Sequence, residues 1–136
     1  MADVIEDLGF RIDDLQHISG RDFISIPVKE AILLDVRPDY ELSRLFDVDN
    51  IIYCQYREIE LRHKELPRDV YLVVADAVGL QSKEIAVKLL ALGFIKVCNL
   101  PGGIVEWERD GLPVTLDKSR ILTGSCMCQL KVRKKK

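Results

Sequence analysis

The run Val70-Tyr71-Leu72-Val73-Val74-Ala75-Asp76-Ala77-Val78-Gly79-Leu80-Gln81-Ser82-Lys83 sets the architecture of the whole chain. Val70 to Ala75 is unbroken, apolar and rich in β-branched residues, the composition of a strand buried on both faces. From Ser82 the period changes. Ile85, Leu89 and Leu92 fall at i, i+4 and i+7, the stripe of an amphipathic helix. Asp76 to Gln81 join the two. A short loop from the carboxyl end of a buried parallel strand to a helix N-terminus is where open α/β sheets place their ligand sites. Backbone N–H groups and the positive end of the helix dipole converge there, so the loop favours an anion.

The flanking sequence repeats the alternation. Ala31 to Val36 is a second buried-strand candidate, and it closes on Asp35-Val36-Arg37-Pro38, where a carboxylate and a guanidinium are placed to bond each other. Ile51 to Cys54 reads as a brief strand, and Ile59 to Leu66 as a helix stopped by Pro67. Gly93 ends the central helix as a left-handed C′ residue. Ile95 to Leu100 is the last strand, and Pro101-Gly102-Gly103 turns the chain into a helix over Ile104 to Arg109. Towards the N-terminus the signals are weaker. Asp3 to Leu15 is read as one or two short helical turns, Ser19 to Asp22 as a turn, Phe23 to Ile26 as a short strand ended by Pro27, and Tyr40 to Phe46 as one short helix. Short apolar strands alternating with helices predict an α/β fold, a five-stranded parallel sheet with helices on both faces.

With 136 residues, 48% of them hydrophobic, the chain is long enough for one domain with a real core, expected over residues 1–116. The opening Met-Ala-Asp-Val-Ile-Glu-Asp is acidic and carries neither a signal-peptide pattern nor a membrane span, so a cytosolic protein with four reduced cysteines is expected. No cofactor and no metal are expected. The net charge of −2 hides an asymmetry: the last six residues, Lys131 to Lys136, carry five positive charges, which leaves −7 for the rest. An acidic body excludes the basic stripe of a nucleic-acid reader, apart from that terminal run. Residues 117–136, polar and then Cys126-Met127-Cys128-Gln129-Leu130 plus the basic end, are expected to form a flexible tail.

Several of these pieces fall together in one pattern. Leu34-Asp35-Val36-Arg37 with Glu41, the strand-loop-helix of Val70 to Leu92, and Leu92-Gly93-Phe94 appear in order. They are followed by Val97-Cys98-Asn99-Leu100-Pro101-Gly102-Gly103-Ile104-Val105-Glu106-Trp107 and by Gly111-Leu112-Pro113-Val114. In this the chain resembles the rhodanese-like domain, from about Ala31 to Val114. The resemblance implies a central parallel sheet and, in catalytic members, transfer of sulfane sulfur through a persulfide on a cysteine that opens the loop. Aligned on Gly79 and Ser82, that cysteine position is occupied by Asp76. The loop has the six-residue length of the sulfurtransferases, not the longer loop of the related phosphatases. The basic loop positions that would bind thiosulfate fall on Ala77 and Gln81, and the family's Gly-His pair ahead of the second strand corresponds to Leu45-Phe46.

A thiolate is soft and polarizable enough to accept sulfur, whereas a carboxylate has the charge without that reactivity. Asp76 is therefore expected to occupy the anion site itself, accepting the loop N–H bonds a persulfide would take; the plainer reading is a surface Asp in a decayed site. A phosphoacceptor role would need an acidic cluster and a lysine at neighbouring strand ends, and Asp35 alone does not supply them. Cys126 and Cys128 are candidates to relay sulfur, to bind a soft metal or to dock beside the loop, against the plainer reading of inert exposed thiols. Two thiolates are too few for a closed zinc site. Cys54 and Cys98 read as buried strand residues, His17 and His63 as surface histidines, and Trp107 as core.

Two functions follow. The first is a catalytically silent rhodanese-like module that binds a protein partner or small anion, or serves as a regulatory or structural unit, through the loop Asp76, Ala77, Val78, Gly79, Leu80, Gln81 and Ser82, with Asp35 and Arg37 structural. The second is a sulfurtransferase or sulfur carrier whose working thiol is Cys126 or Cys128.

Overall fold

A computed structural model describes residues 5–116 and the backbone of residues 132–133. The strands are β1 (Phe10–Ile12), β2 (Leu15–His17), β3 (Ala31–Asp35), β4 (Arg44–Phe46), β5 (Ile51–Tyr53), β6 (Tyr71–Ala75), β7 (Val97–Asn99), β8 (Val114–Leu116) and β9 (Val132–Arg133). The helices are α1 (Gly20–Ser25), α2 (Ile59–Arg62), α3 (Leu80–Ala91) and α4 (Gly103–Arg109). The main sheet runs β1-β2-β7-β6-β3-β5-β9. Its five inner strands, β2, β7, β6, β3 and β5, are mutually parallel, and the edge strands β1 and β9 are antiparallel to their neighbours. The expected five-stranded parallel sheet is thus present, with an antiparallel strand added at each edge.

Alternation along the strands builds a core on each face of the sheet. Leu33, Val73 and Ala75 point to one side, where Phe23 of α1 and Ile104 and Trp107 of α4 cover them. Leu34, Leu72 and Val74 point to the other, under Ile85, Ala86 and Leu89 of α3. Trp107 is 1% exposed, meets Phe46 edge to face at 5.0 Å and donates its indole N–H to the carbonyl of Pro113 at 2.8 Å. Burying the ring costs little because its one polar group keeps a partner.

The N-terminal third departs from the sequence reading. Ile5 and Glu6 are helical, as expected, but in place of further helical turns residues 10–17 form the β1–β2 hairpin, with Ile12 opposite Leu15 across a two-residue turn. Asp13 and Asp14 both take positive φ, 51° and 68°, the pattern of a type I′ turn that aspartate tolerates better than most residues. Of the segment read as a strand, Phe23 to Ser25 lie in α1 and Ile26 is its extended C-cap. Ser19 caps that helix, accepting from the Asp22 N–H at 3.1 Å while the Asp22 carboxylate reaches back to the Ser19 N–H, and this capping box outweighs the β-branched residues. The helix expected over Tyr40 to Phe46 is a single 3-10 turn, Asp39–Glu41, followed by β4. β4 pairs with β8, which follows it by about seventy residues in a separate two-stranded sheet. The expected tail lies outside the described residues except for β9, which pairs with β5.

Candidate functional site

The strand order reverses direction between β3 and β6: β5 lies on one side of β3, whereas β6, β7 and β2 lie on the other. Crevices at such a reversal, at the carboxyl ends of the strands, are the ligand positions of open α/β sheets. Two loops meet there, one after Asp35 and one after Ala75, and the N–H of Val36 donates to the carbonyl of Ala75 at 3.0 Å.

Asp76 opens the second loop and folds back into it. One carboxylate oxygen accepts from the N–H of Gly79 at 2.5 Å and the other from the N–H of Gln81 at 2.9 Å. The residue is 4% exposed. Both oxygens are thus engaged by donors at the start of α3, where a negative charge also meets the positive end of the helix dipole. The remaining loop side chains are uncharged: Ala77 and Gly79 are half-buried, and Val78 and Leu80 are exposed. Leu80 is 73% exposed, and Phe46 is fully buried against Trp107.

A second turn locks the loop from behind. The carbonyls of Asp76 and Ala77 accept from the N–H groups of Ile104 and Val105 at 2.9 and 3.1 Å. This contact requires two glycines. Gly79 has φ +97°, and a Cβ on it would sit 2.7 Å from the nitrogen of Gly102; one on Gly103, with φ +56°, would sit 2.3 Å from the Asp76 carbonyl oxygen. The Pro101-Gly102-Gly103 segment therefore shapes the loop directly, a role that spacing along the chain does not reveal.

The first loop is held by an ion pair. The Arg37 guanidinium donates through Nε and Nη2 to the Asp35 carboxylate at 3.0 and 2.8 Å, while Nη1 donates to the carbonyl of Glu41 at 3.1 Å. Asp35 also accepts from the Arg37 N–H at 3.1 Å, and both side chains are almost wholly buried. Burial works against the arginine charge, but Asp35 foremost, then Tyr53 and Glu41, hold its pKa above the ordinary value. Phe46 lies 5.3 Å below the guanidinium. Arg37 is thus spent on the scaffold and is not presented to a ligand.

A buried polar chain missed by the sequence reading connects α3 to the N-terminal hairpin. The Ser82 hydroxyl donates to Asn99 Oδ1 at 2.6 Å, and Asn99 Nδ2 lies 3.1 Å from His17 Nδ1. Because Asn99 accepts from Ser82 with its oxygen, its amide donates to His17, and neutral His17 carries its proton on Nε2. His17 is 4% exposed and stacked beneath Phe10 at 5.0 Å, so it is no surface residue. Its Nε2 finds no hydrogen-bond partner among the described residues. Burial, and then the nearby Lys83, push its pKa down. The β1–β2 hairpin, unreadable in sequence, is what hides it. His63 is half-buried in the 3-10 turn after α2, edge to face with Phe94.

Cys54 and Cys98 are buried, the Cys98 thiol donates to Gln16 Oε1 at 3.5 Å, and it is pushed up to about 12, chiefly by burial, which keeps it protonated. Cys126 and Cys128 lie outside the described residues. No helix among those residues is long and apolar enough to cross a membrane.

Comparison with known proteins gives this arrangement a family context. The model of the rhodanese-like domain family matches residues 22–110. A protein of Allochromatium vinosum named sulfurtransferase is 29% identical over 86 residues, which cover 63% of this chain and 79% of that protein. The crystal structure of a rhodanese-related protein from Thermoplasma volcanium aligns with a TM-score of 0.65 at 29% identity, over 74% of this chain and 98% of that one. An NAD-dependent persulfide reductase from A. fulgidus aligns with a TM-score of 0.57 at 31% identity, over 69% of this chain but only 16% of that larger protein.

Proposed function

The chain belongs to the rhodanese-like domain family, and from that premise we propose that it is a catalytically silent member, a binding or regulatory module in which Asp76 stands where sulfur-transferring relatives carry their persulfide cysteine. The observation that carries this reading is the pair of hydrogen bonds from the Gly79 and Gln81 N–H groups to the Asp76 carboxylate. A persulfide or bound oxyanion at this position would use the same donors. The anion is supplied by the protein itself, on an atom type that cannot accept sulfur. The loop also offers no cationic side chain, with Ala77 and Gln81 at the positions where thiosulfate would need one. What the face presents instead is exposed Val78 and Leu80, side chains suited to a protein partner. Cys98, a buried thiol held protonated, agrees with a reducing, cytosolic setting. The test is turnover of thiosulfate and cyanide to thiocyanate by the full chain: none is expected, and turnover by the wild type would overturn the silent reading.

A second reading, sulfur carriage by Cys126 or Cys128, is favoured by the direction of β9. Val132 faces Ile52 and Arg133 faces Ile51 in antiparallel register. The chain therefore enters β9 from the end of the sheet where the loop lies. Three strand spacings, about 14 Å, separate β9 from β6, and the six residues from Cys126 to Val132 span at most about 20 Å when extended. The tether is long enough for a tail thiol to reach the loop. Removing residues 125–136 distinguishes the readings, because the carrier requires them and the silent module does not.

A further inference from the structure

Helix α3 is apolar on two sides. Ile85, Ala86 and Leu89 are buried against the sheet, whereas Leu80, Lys83, Glu84, Val87 and Ala91 follow one another along the solvent side at helical spacing. Leu80 is 73% exposed and Val87 50%, and with Lys83 and Glu84 they line an open groove of about 520 Å³. Lys88, on a different side of the helix, is tied to Glu60 at 3.4 Å. Lys83 and Glu84 make no ion pair or side-chain hydrogen bond among the described residues.

The order of these residues is its own complement. We propose that this face pairs with the same face of a second copy of the chain, α3 against α3 in antiparallel orientation about a two-fold axis passing between residues 83 and 84. Such an axis sets Lys83 opposite Glu84 of the second copy and Glu84 opposite its Lys83. It also sets Leu80 opposite Val87 on both sides of the centre. Two apolar pairs flanking two opposite-charge pairs is the self-complementary arrangement that an isologous interface demands, with each position contacting its symmetry mate. A parallel pairing would put Lys83 against Lys83 and Glu84 against Glu84, which charge repulsion disfavours. A single helix pair covers less than the roughly 800 Å² per partner of a standard interface, so the association is weak and salt-sensitive. This inference does not depend on the role of Asp76.

Sedimentation equilibrium of the full chain at pH 8, where His17 next to Lys83 stays neutral, tests the pairing. The wild type is expected to dimerise reversibly at high micromolar concentration and less well at high salt. Lys83→Glu and Glu84→Lys each place like charges across the axis and should weaken the dimer at least about tenfold, a loss of about 1.4 kcal/mol. The double variant Lys83→Glu/Glu84→Lys restores both pairs with signs exchanged and should recover the wild-type constant. These positions are exposed, and unchanged melting of each variant confirms that only association is altered. A chain that stays monomeric at the highest soluble concentration, a dimer indifferent to the single variants, or a double variant that fails to recover would each overturn the proposal.

Discussion

The Asp76 carboxylate lies 2.5 Å from the backbone nitrogen of Gly79, close enough that the side chain and its own loop form one closed ring of hydrogen bonds, completed at Gln81. The geometry that would hold a foreign anion holds a covalently attached one. The exposed Val78 and Leu80 sit on the same loop.

Replacing Asp76 by Asn keeps the size of the side chain but removes the charge and turns one acceptor into a donor facing an N–H. A loss of about 2 kcal/mol is expected at pH 7, the scale of a hydrogen bond to a charged group. Urea denaturation of Asp76→Asn against the wild type measures it; an unchanged midpoint would mean that the two bonds do not stabilise the loop.

Arg37 forms a buried fork with Asp35 while also holding Glu41, so removing the arginine alone leaves a carboxylate buried without its partner. Arg37→Met is expected to cost about 3–5 kcal/mol. Asp35→Asn/Arg37→Met should cost less than Arg37→Met by itself, because the stranded charge is gone. Denaturant titration of the two variants decides whether the penalty arises from the unpaired charge.

His17 gives a pH dependence with a definite sign. Its pKa is lowered in the fold, by burial first and Lys83 second, so the unfolded chain takes up the proton more readily. The stabilising contribution is fully present above the ordinary histidine value near 6.5 and is lost as pH falls below it, towards the lowered folded value. Protonation also puts a donor on Nδ1 against the donating amide of Asn99. Melting temperature recorded from pH 8 to pH 5 should decline on the acid side, and His17→Gln should flatten that decline. An identical acid limb in the variant would assign it to other groups.

The fold was legible where the chain is apolar and local. β3, β6, α3, β7 and α4 are announced by buried-strand runs, a helical stripe and the glycines that bracket them. It was illegible where pairing decides. β4 is three residues long and becomes a strand only by meeting β8, and the β1–β2 hairpin turns on two aspartates in place of the usual glycine-containing pair. At the site, Asp76 was readable from its place between strand and helix, whereas its two donors depend on how the loop folds back on the carboxylate. Asn99 and His17 could not be found, because they meet through a parallel pairing of β2 with β7 across more than eighty residues. Ser19 and Asp22 are the instructive exception. Their capping-box spacing was present in the sequence, and it outranks the β-branched residues that suggested a strand.

The central claim, that this rhodanese-like domain does not carry sulfur, is tested most directly by intact-mass spectrometry of the reduced full chain after incubation with thiosulfate or a polysulfide donor. Wild type and Cys126→Ser/Cys128→Ser should both retain their starting mass. A gain of one sulfur atom by the wild type that disappears in the double variant would contradict the silent module and identify the tail thiols as a sulfur carrier.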